Sequence, residues 1–380
     1  MRRRIALALA AVLSAAGCST LDSLNPFSSS GPKLAELPPI TSSIGVRTAW
    51  RESVGKSDIY VFTPAVVGDA AFVAGGKGEV LRIEGGAVRW KIDAGTPLSG
   101  GVGSDGRRVV VGTPKGEVLA FDADGGKELW RARVSSEVLA APAVSDTLVV
   151  VRSGDNRIFA FDAADGKRKW VYQRQTPPLS LRTFAAPLID GGYVFAGFPG
   201  GKLMAITTNN GASAWEGTVA LPKGTTELDR VADITSAPVI AGRMICAVAY
   251  QGRIACFDLG TGNLAWARDM SSAVGLAADD RHIYVSDDQG AVHALALTGG
   301  ASIWKQDKLR QRQLSAPLAL GNTIAVGDLQ GMVHFLSRED GAFVGRATTD
   351  GTPVVTQPQR LGDRLLLQTR GGSVLALDVQ

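Results

Sequence analysis

The sequence is poor in the residues that make staples and metal sites: among 380 residues there are three Cys and three His. Cys18, Cys246 and Cys256 form no Cys-x-x-Cys pair, which excludes a disulfide-framework scaffold and a structural zinc site. Apolar runs are also short. None reaches the roughly 20 residues that a membrane-spanning helix requires. Charge of one sign is lacking as well. The formal +4 includes Arg2, Arg3 and Arg4, and taking these three from 40 Lys+Arg leaves 37 against 36 Asp+Glu. No Lys/Arg block follows the N-terminus, so the concentrated positive field that nucleic acid demands is missing. At 45% hydrophobic and 20% charged residues, the chain is nevertheless apolar enough for a large core.

What is present begins with an address. Residues 1–17 join three Arg, a short apolar stretch from Ile5 and a run of small residues, the pattern of a secretory signal. Ala15-Ala16-Gly17-Cys18 is similar to a bacterial lipobox, in which the Cys is lipidated and becomes the mature N-terminus. Ordinary cleavage leaving a free Cys18 is the alternative. Ser19 after the Cys implies, by the same resemblance, delivery to the outer membrane. Residues 18–44 contain SSSGP and LPP and carry neither the helix nor the strand period, so they read as a flexible tether.

The remainder, residues 45–380, holds all seven Trp: Trp50, Trp90, Trp130, Trp170, Trp215, Trp266 and Trp304. Their successive spacings are 40, 40, 40, 45, 51 and 38, the mark of a repeat architecture. Each unit has short β-branched runs separated by Gly-containing turns, which predicts four antiparallel strands. Such units arranged radially make a β-propeller. The frame Ala-x-Asp-x3-Gly-x3-Trp is complete at Ala120, Asp122, Gly126, Trp130 and at Ala160, Asp162, Gly166, Trp170. It recurs with substitutions before Trp215, Trp266 and Trp304, and degenerates at Phe335, Gly341, Gly345, where the Trp is missing. This frame resembles the tryptophan-docking motif of pyrroloquinoline-quinone-type propeller repeats. The seven Trp are then structural docking residues wedged between blades, and the repeated Asp caps its own turn.

Third strands are expected at Val80, Val118, Ile158, Leu203, Ile254, Val292, Val333 and Val374, which gives an all-β, eight-bladed propeller. No fourth strand follows the last copy, so Arg47 to Arg51 must supply it and close the ring, leaving no open edge between first and last blades.

Catalytic chemistry is not visible. His293 and His334 are repeat-equivalent, which suggests packing rather than a metal pair, and no GxxxxGK[ST] or HExxH occurs. Quinone-dependent alcohol dehydrogenases share these repeats, but the resemblance to them implies adjacent paired Cys and large insertions that this chain lacks. No enzyme activity, cofactor or metal is expected. Cys246 and Cys256 flank the turn at Gln251-Gly252, and two readings stand: a cross-strand disulfide, or two small buried residues.

Irregularity points to a binding surface. From each Trp to the Pro opening the next unit the distance is 14, 12 and 13 residues after Trp50, Trp130 and Trp304, but 17 after Trp170 and 23 after Trp215. Being of one type, these two enlarged connections emerge side by side on one face. They carry LSLR (Leu179 to Arg182) and TELDRVAD (Thr226 to Asp233), apolar anchors with flanking charge that suit a protein interface. With the lipoprotein signal and the eight repeats, the two strings resemble the BamB family, lipoprotein subunits of the outer-membrane β-barrel assembly machinery. That resemblance implies a non-enzymatic scaffold on the periplasmic side of the outer membrane. It implies docking on the periplasmic POTRA domains of BamA through Leu179, Leu181, Arg182, Asp229 and Asp233, assisting nascent outer membrane proteins. Ile234 and Thr235 stand where some relatives carry a further acid. A second reading is a chaperone-like binder that holds unfolded clients by strand addition to a blade edge.

Overall fold

A computed structural model describes residues 33–380, all of whose regular elements are strands. The signal segment, Cys18 and the first part of the expected tether lie outside the described residues. Eight antiparallel sheets follow one another around a ring. Blade 3 shows the pattern: Ala143–Val144 lies innermost, then Leu148–Arg152, Ile158–Asp162 and outermost Arg168–Tyr172. Its two middle strands are almost entirely buried because a neighbouring blade covers each face, whereas the outer strand is largely exposed. Such continuous burial explains why those segments read as β-branched and apolar runs without alternation.

The eight expected third strands are all present as third strands of their sheets. Ring closure also follows the expectation: Val46–Ser53 pairs antiparallel with Ser373–Val379 and becomes the outer strand of blade 8. One element was not anticipated. Val61–Phe62 runs parallel to Gly100–Ser104 and adds a fifth, innermost strand to blade 2.

The repeated residues account for the cohesion of the ring. In six seams the indole N–H donates to a carbonyl of the following blade: Trp90 to Ala123, Trp130 to Ala163, Trp170 to Thr208, Trp215 to Leu259, Trp266 to Leu297 and Trp304 to Arg338. The motif Gly of that blade lies flat on the same ring. A Cβ on Gly166 would stand 2.6 Å from the Trp130 indole, and φ there is +71°, so the position requires glycine twice over. The motif Asp does cap its turn, as Asp122 accepts from the Gly125 N–H and Asp258 from the Thr261 N–H.

Two seams depart from the rule. Blade 1 replaces the usual turn by Gly85-Gly86, two residues shorter than the turn between Asp122 and Lys127, and so lacks the acceptor carbonyl. The Trp50 indole still packs on Gly86, but its buried Nε1 has no partner among the described residues. In blade 7, Gly345 takes the place of the Trp, and Ile44 and Val46 from the N-terminal segment fill the space against it. The expected free tether therefore needs correction at its C-terminal end: from Ala35 onward the chain is laid on the propeller by hydrogen bonds and apolar packing.

The open question over cysteine resolves as a disulfide. Cys246 and Cys256 face each other across adjacent strands of blade 5 and are bonded, fully buried beside Trp266. His293 and His334 each bind an Asp of their own blade, Asp287 and Asp328 respectively.

Candidate protein interface

The two enlarged connections run from the outer strand of one blade to the inner strand of the next, one between blades 3 and 4, the other between blades 4 and 5. Each ends at the hub, where Phe184, Ala186 and Thr235 to Ala237 line an axial chamber of about 310 Å³. A surface loop of this length is costly to order unless its backbone polar groups find partners. Here one carboxylate supplies them. Asp233, 2% exposed, accepts from the Leu181 N–H at 2.7 Å and from the Gly200 N–H at 3.0 Å. The Thr183 hydroxyl donates to the Thr235 carbonyl at 3.0 Å, a second tie between the connections. Arg152 lies near enough for Asp233 to offset part of its burial, which pushes the guanidinium down to about 10. Arg152 also donates to Asn156 Oδ1 at 2.8 Å and to the Gly197 carbonyl.

Asp233 is thus placed differently from the expectation of a partner-facing acid: it points inward and braces the LSLR segment. Asp229 does remain on the surface, within a local turn in which it accepts from the Thr226 N–H at 3.1 Å while its own N–H donates to Thr226 Oγ1. Hydrogen bonds from Thr226 hold its carboxyl below the usual range.

The three remaining residues form one cluster. Pro177-Pro178 stiffens the approach to Leu179, which is 40% exposed, and Leu181 two residues on is half-buried. Arg182 turns across the face of the disc and donates twice to Glu137, at 2.8 and 2.6 Å. Its guanidinium also lies 5.8 Å from the centroid of the Tyr60 ring. The bidentate carboxylate raises the Arg182 pKa, so the group is a fixed cation. The structure brings Leu179, Leu181, Arg182 and Asp233 together through the brace, while Asp229 stands apart on the longer loop.

Residues outside the sequence reading join this surface. Leu228, 70% exposed, and Leu221, 57% exposed, are the most open leucines of the face, and both belong to the longer loop. Leu228 lies inside TELDRVAD, where a leucine set between Glu227 and Asp229 was the available signal. Glu137 and Tyr60 sit on other connections, and no local pattern announces their meeting with Arg182. The surface offers exposed aliphatic tips, a held cation and acids on a braced frame. Such a frame suits docking, because little side-chain or loop entropy remains to be lost.

The family model described as "Outer membrane protein assembly factor BamB" matches residues 76–306 and 292–380. An outer membrane protein assembly factor BamB from Bordetella pertussis is 46% identical over 377 residues, covering 98% of this chain and 96% of the relative. The crystal structure of BamB from Moraxella catarrhalis superposes with a TM-score of 0.82 at 30% identity, covering 88% of this chain and 100% of the other. A quinohemoprotein alcohol dehydrogenase from Comamonas testosteroni, at 14% identity and a TM-score of 0.70, covers 87% of this chain and 76% of its own, and shares the fold alone. An eight-bladed ring with docked tryptophans and two enlarged, mutually braced connections therefore belongs to the BamB family of outer membrane protein assembly factors.

Proposed function

We propose that this chain is a non-enzymatic scaffold of the outer-membrane β-barrel assembly machinery, lipidated at Cys18 and held at the periplasmic face of the outer membrane. It docks on the POTRA domains of BamA through the face that carries the two enlarged connections, and so helps nascent outer membrane proteins reach the insertion site. The observation that carries this reading is the pair of loops locked by Asp233, which presents Leu179, Leu181 and Arg182 from one rigid support. Asp229 and Leu228 extend the same surface on the longer loop. Apolar anchors near the centre of an interface commonly cost more than about 1 kcal/mol each when truncated, so removing two lowers affinity by roughly thirtyfold or more. Co-purification of BamA from solubilised membranes tests this. Paired Leu179→Ala and Leu181→Ala, or the single charge reversal Arg182→Glu, should deplete BamA while the propeller stays folded. Undiminished BamA would remove the loops from the interface.

The client-binding reading has an observation of its own. Outer strands of five blades expose an aliphatic side chain at the rim: Val88, Leu129, Val171, Leu264 and Ile303. An extended client could pair with such an edge and cover that side chain. Photocrosslinking from these five positions to unfolded clients would support it, and crosslinks confined to the loop tips would not.

A further inference from the structure

The segment before the first strand is held by a dedicated set of contacts. The Ala35 N–H donates to the Arg310 carbonyl at 3.1 Å, and Arg312 donates to the Ala35 carbonyl at 3.0 Å. Arg346 reaches the Pro38 carbonyl with both terminal nitrogens at 3.4 Å. Leu37, partly buried, packs against the core between blades 6 and 7. Further along, the Ser43 and Ile44 N–H groups share the Val344 carbonyl, and Gly45 exchanges two hydrogen bonds with Gln380. The two arginines are themselves built in. Arg312, 3% exposed, binds Asp328 Oδ2 at 2.7 Å, and Arg346 donates from Nε to His334 Nδ1 at 3.2 Å. A buried, paired arginine is expensive to keep unless both its donors and its charge are used. Gln330 takes one terminal nitrogen of Arg312 at 2.6 Å, and backbone carbonyls of the N-terminal segment take the other and both of those on Arg346.

The path of this segment is fixed by where its partners lie. Arg310 and Arg312 belong to the connection between blades 6 and 7, the same type of connection as the two enlarged loops and hence on the same face of the disc. Arg346 and Val344 lie successively farther back along Phe343–Thr348, the outer strand of blade 7. The segment thus enters on the loop face, descends antiparallel along the edge of blade 7 and turns at Gly45 into the outer strand of blade 8. Ile44 and Val46 fill the slot of the absent Trp on the way.

We propose that residues 35–44 are a docking arm that fixes where the anchored end of the chain enters the propeller, on the face that bears the two enlarged connections. The arm makes that face the membrane-proximal one, and it occupies the edge of blade 7 so that no partner strand pairs there. The orientation rests on the lipid anchor proposed above, whereas the latch itself does not.

Two measurements on the full chain separate these parts. Hydrogen exchange of the detergent-solubilised chain should find the Ala35, Ser43 and Ile44 amides protected. Ala35→Pro with Leu37→Ser changes residues of the arm only and leaves every propeller residue as it is. It should speed exchange at Ser43 and Ile44 about tenfold or more, as loss of two net hydrogen-bonded or packed contacts predicts, with Arg47 to Ser53 unchanged. Free exchange in the native chain, or protection undiminished in the variant, would overturn the latch. For orientation, the chain is placed in phosphatidylethanolamine–phosphatidylglycerol vesicles that carry a bilayer quencher. A dye at Glu227→Cys, on the loop face, should be quenched more than one at Asp165→Cys, on a turn of the opposite face. The arm variant should abolish that difference. Equal quenching in the native arm would overturn the orientation. Absence of quenching at both positions would overturn the anchor, and the orientation with it, while the exchange result stood.

Discussion

Replacing Asp233 is the sharpest perturbation of the proposed interface, because it touches no partner-facing atom. Its carboxylate accepts N–H donors from Leu181 and Gly200 and faces the buried Arg152. Hydrogen bonds to a charged group contribute about 1.5–3 kcal/mol each, so Asp233→Ala should cost roughly 4 kcal/mol from the two alone. Leaving Arg152 without its nearby anion adds to this. Asp233→Asn keeps one acceptor oxygen and should lose about half as much. In a domain of more than 300 residues, 4 kcal/mol lowers Tm by about 6 °C. The local effect comes first, since a loop opens before a ring does. Amide exchange at Leu181 should therefore rise steeply in Asp233→Ala while the middle strands of blades 3 and 4 keep their protection. BamA capture should fall with it although Leu179 and Arg182 are intact. If Asp233→Ala left both the Leu181 exchange rate and Tm unchanged, the brace would be refuted.

Three further outcomes follow from the seams and the buried groups. Trp50→Phe should be close to neutral, because its Nε1 has no acceptor to lose, while Trp130→Phe should cost about 1–2 kcal/mol for the stranded Ala163 carbonyl. Chemical denaturation of the two variants compares them directly. Breaking the Cys246–Cys256 bond, by paired Ala substitution, should cost about 2–3 kcal/mol, as its separation of 10 residues implies. Equal Tm with and without reductant would contradict this. His334 titrates low, because burial outweighs its bond to Asp328, and Arg312 and Arg346 add to the depression. The neutral form is the one that accepts from Arg346, so the folded state binds fewer protons than the unfolded one below about pH 6.5 and stability falls as pH drops through that point. His334→Gln should flatten this part of the stability curve, and an unchanged slope between pH 6.5 and 5 would assign it to another group.

Much of the ring was legible because its rules are local and repeated. Six of the seven Trp have a Gly four residues before them and mark the same seam, and the third strands are apolar enough to be counted. Closure followed from a strand missing at one end and a lone Trp50 at the other. What escaped lacks repetition. Val61–Phe62 is too short to carry a period, and it gains strand character only from blade 2. Asp233 looked like its acidic neighbours because an inward carboxylate is defined by the N–H groups of Leu181 and Gly200, which are distant in sequence. The arm had no signal beyond its prolines, since its hydrogen bonds run to Arg312 and Arg346 some three hundred residues away. For the cysteines, small size and cross-strand position were common to both readings. Only their register, with Cys246 directly opposite Cys256, separates them.

The direct test of the account is a hydrogen-exchange footprint of the full chain with and without the purified periplasmic domains of BamA. Binding through the braced loops predicts slowed exchange over residues 177–183 and 224–232, with the outer strands of the blades unchanged. A footprint on those outer strands, or none on the two loops, would contradict it.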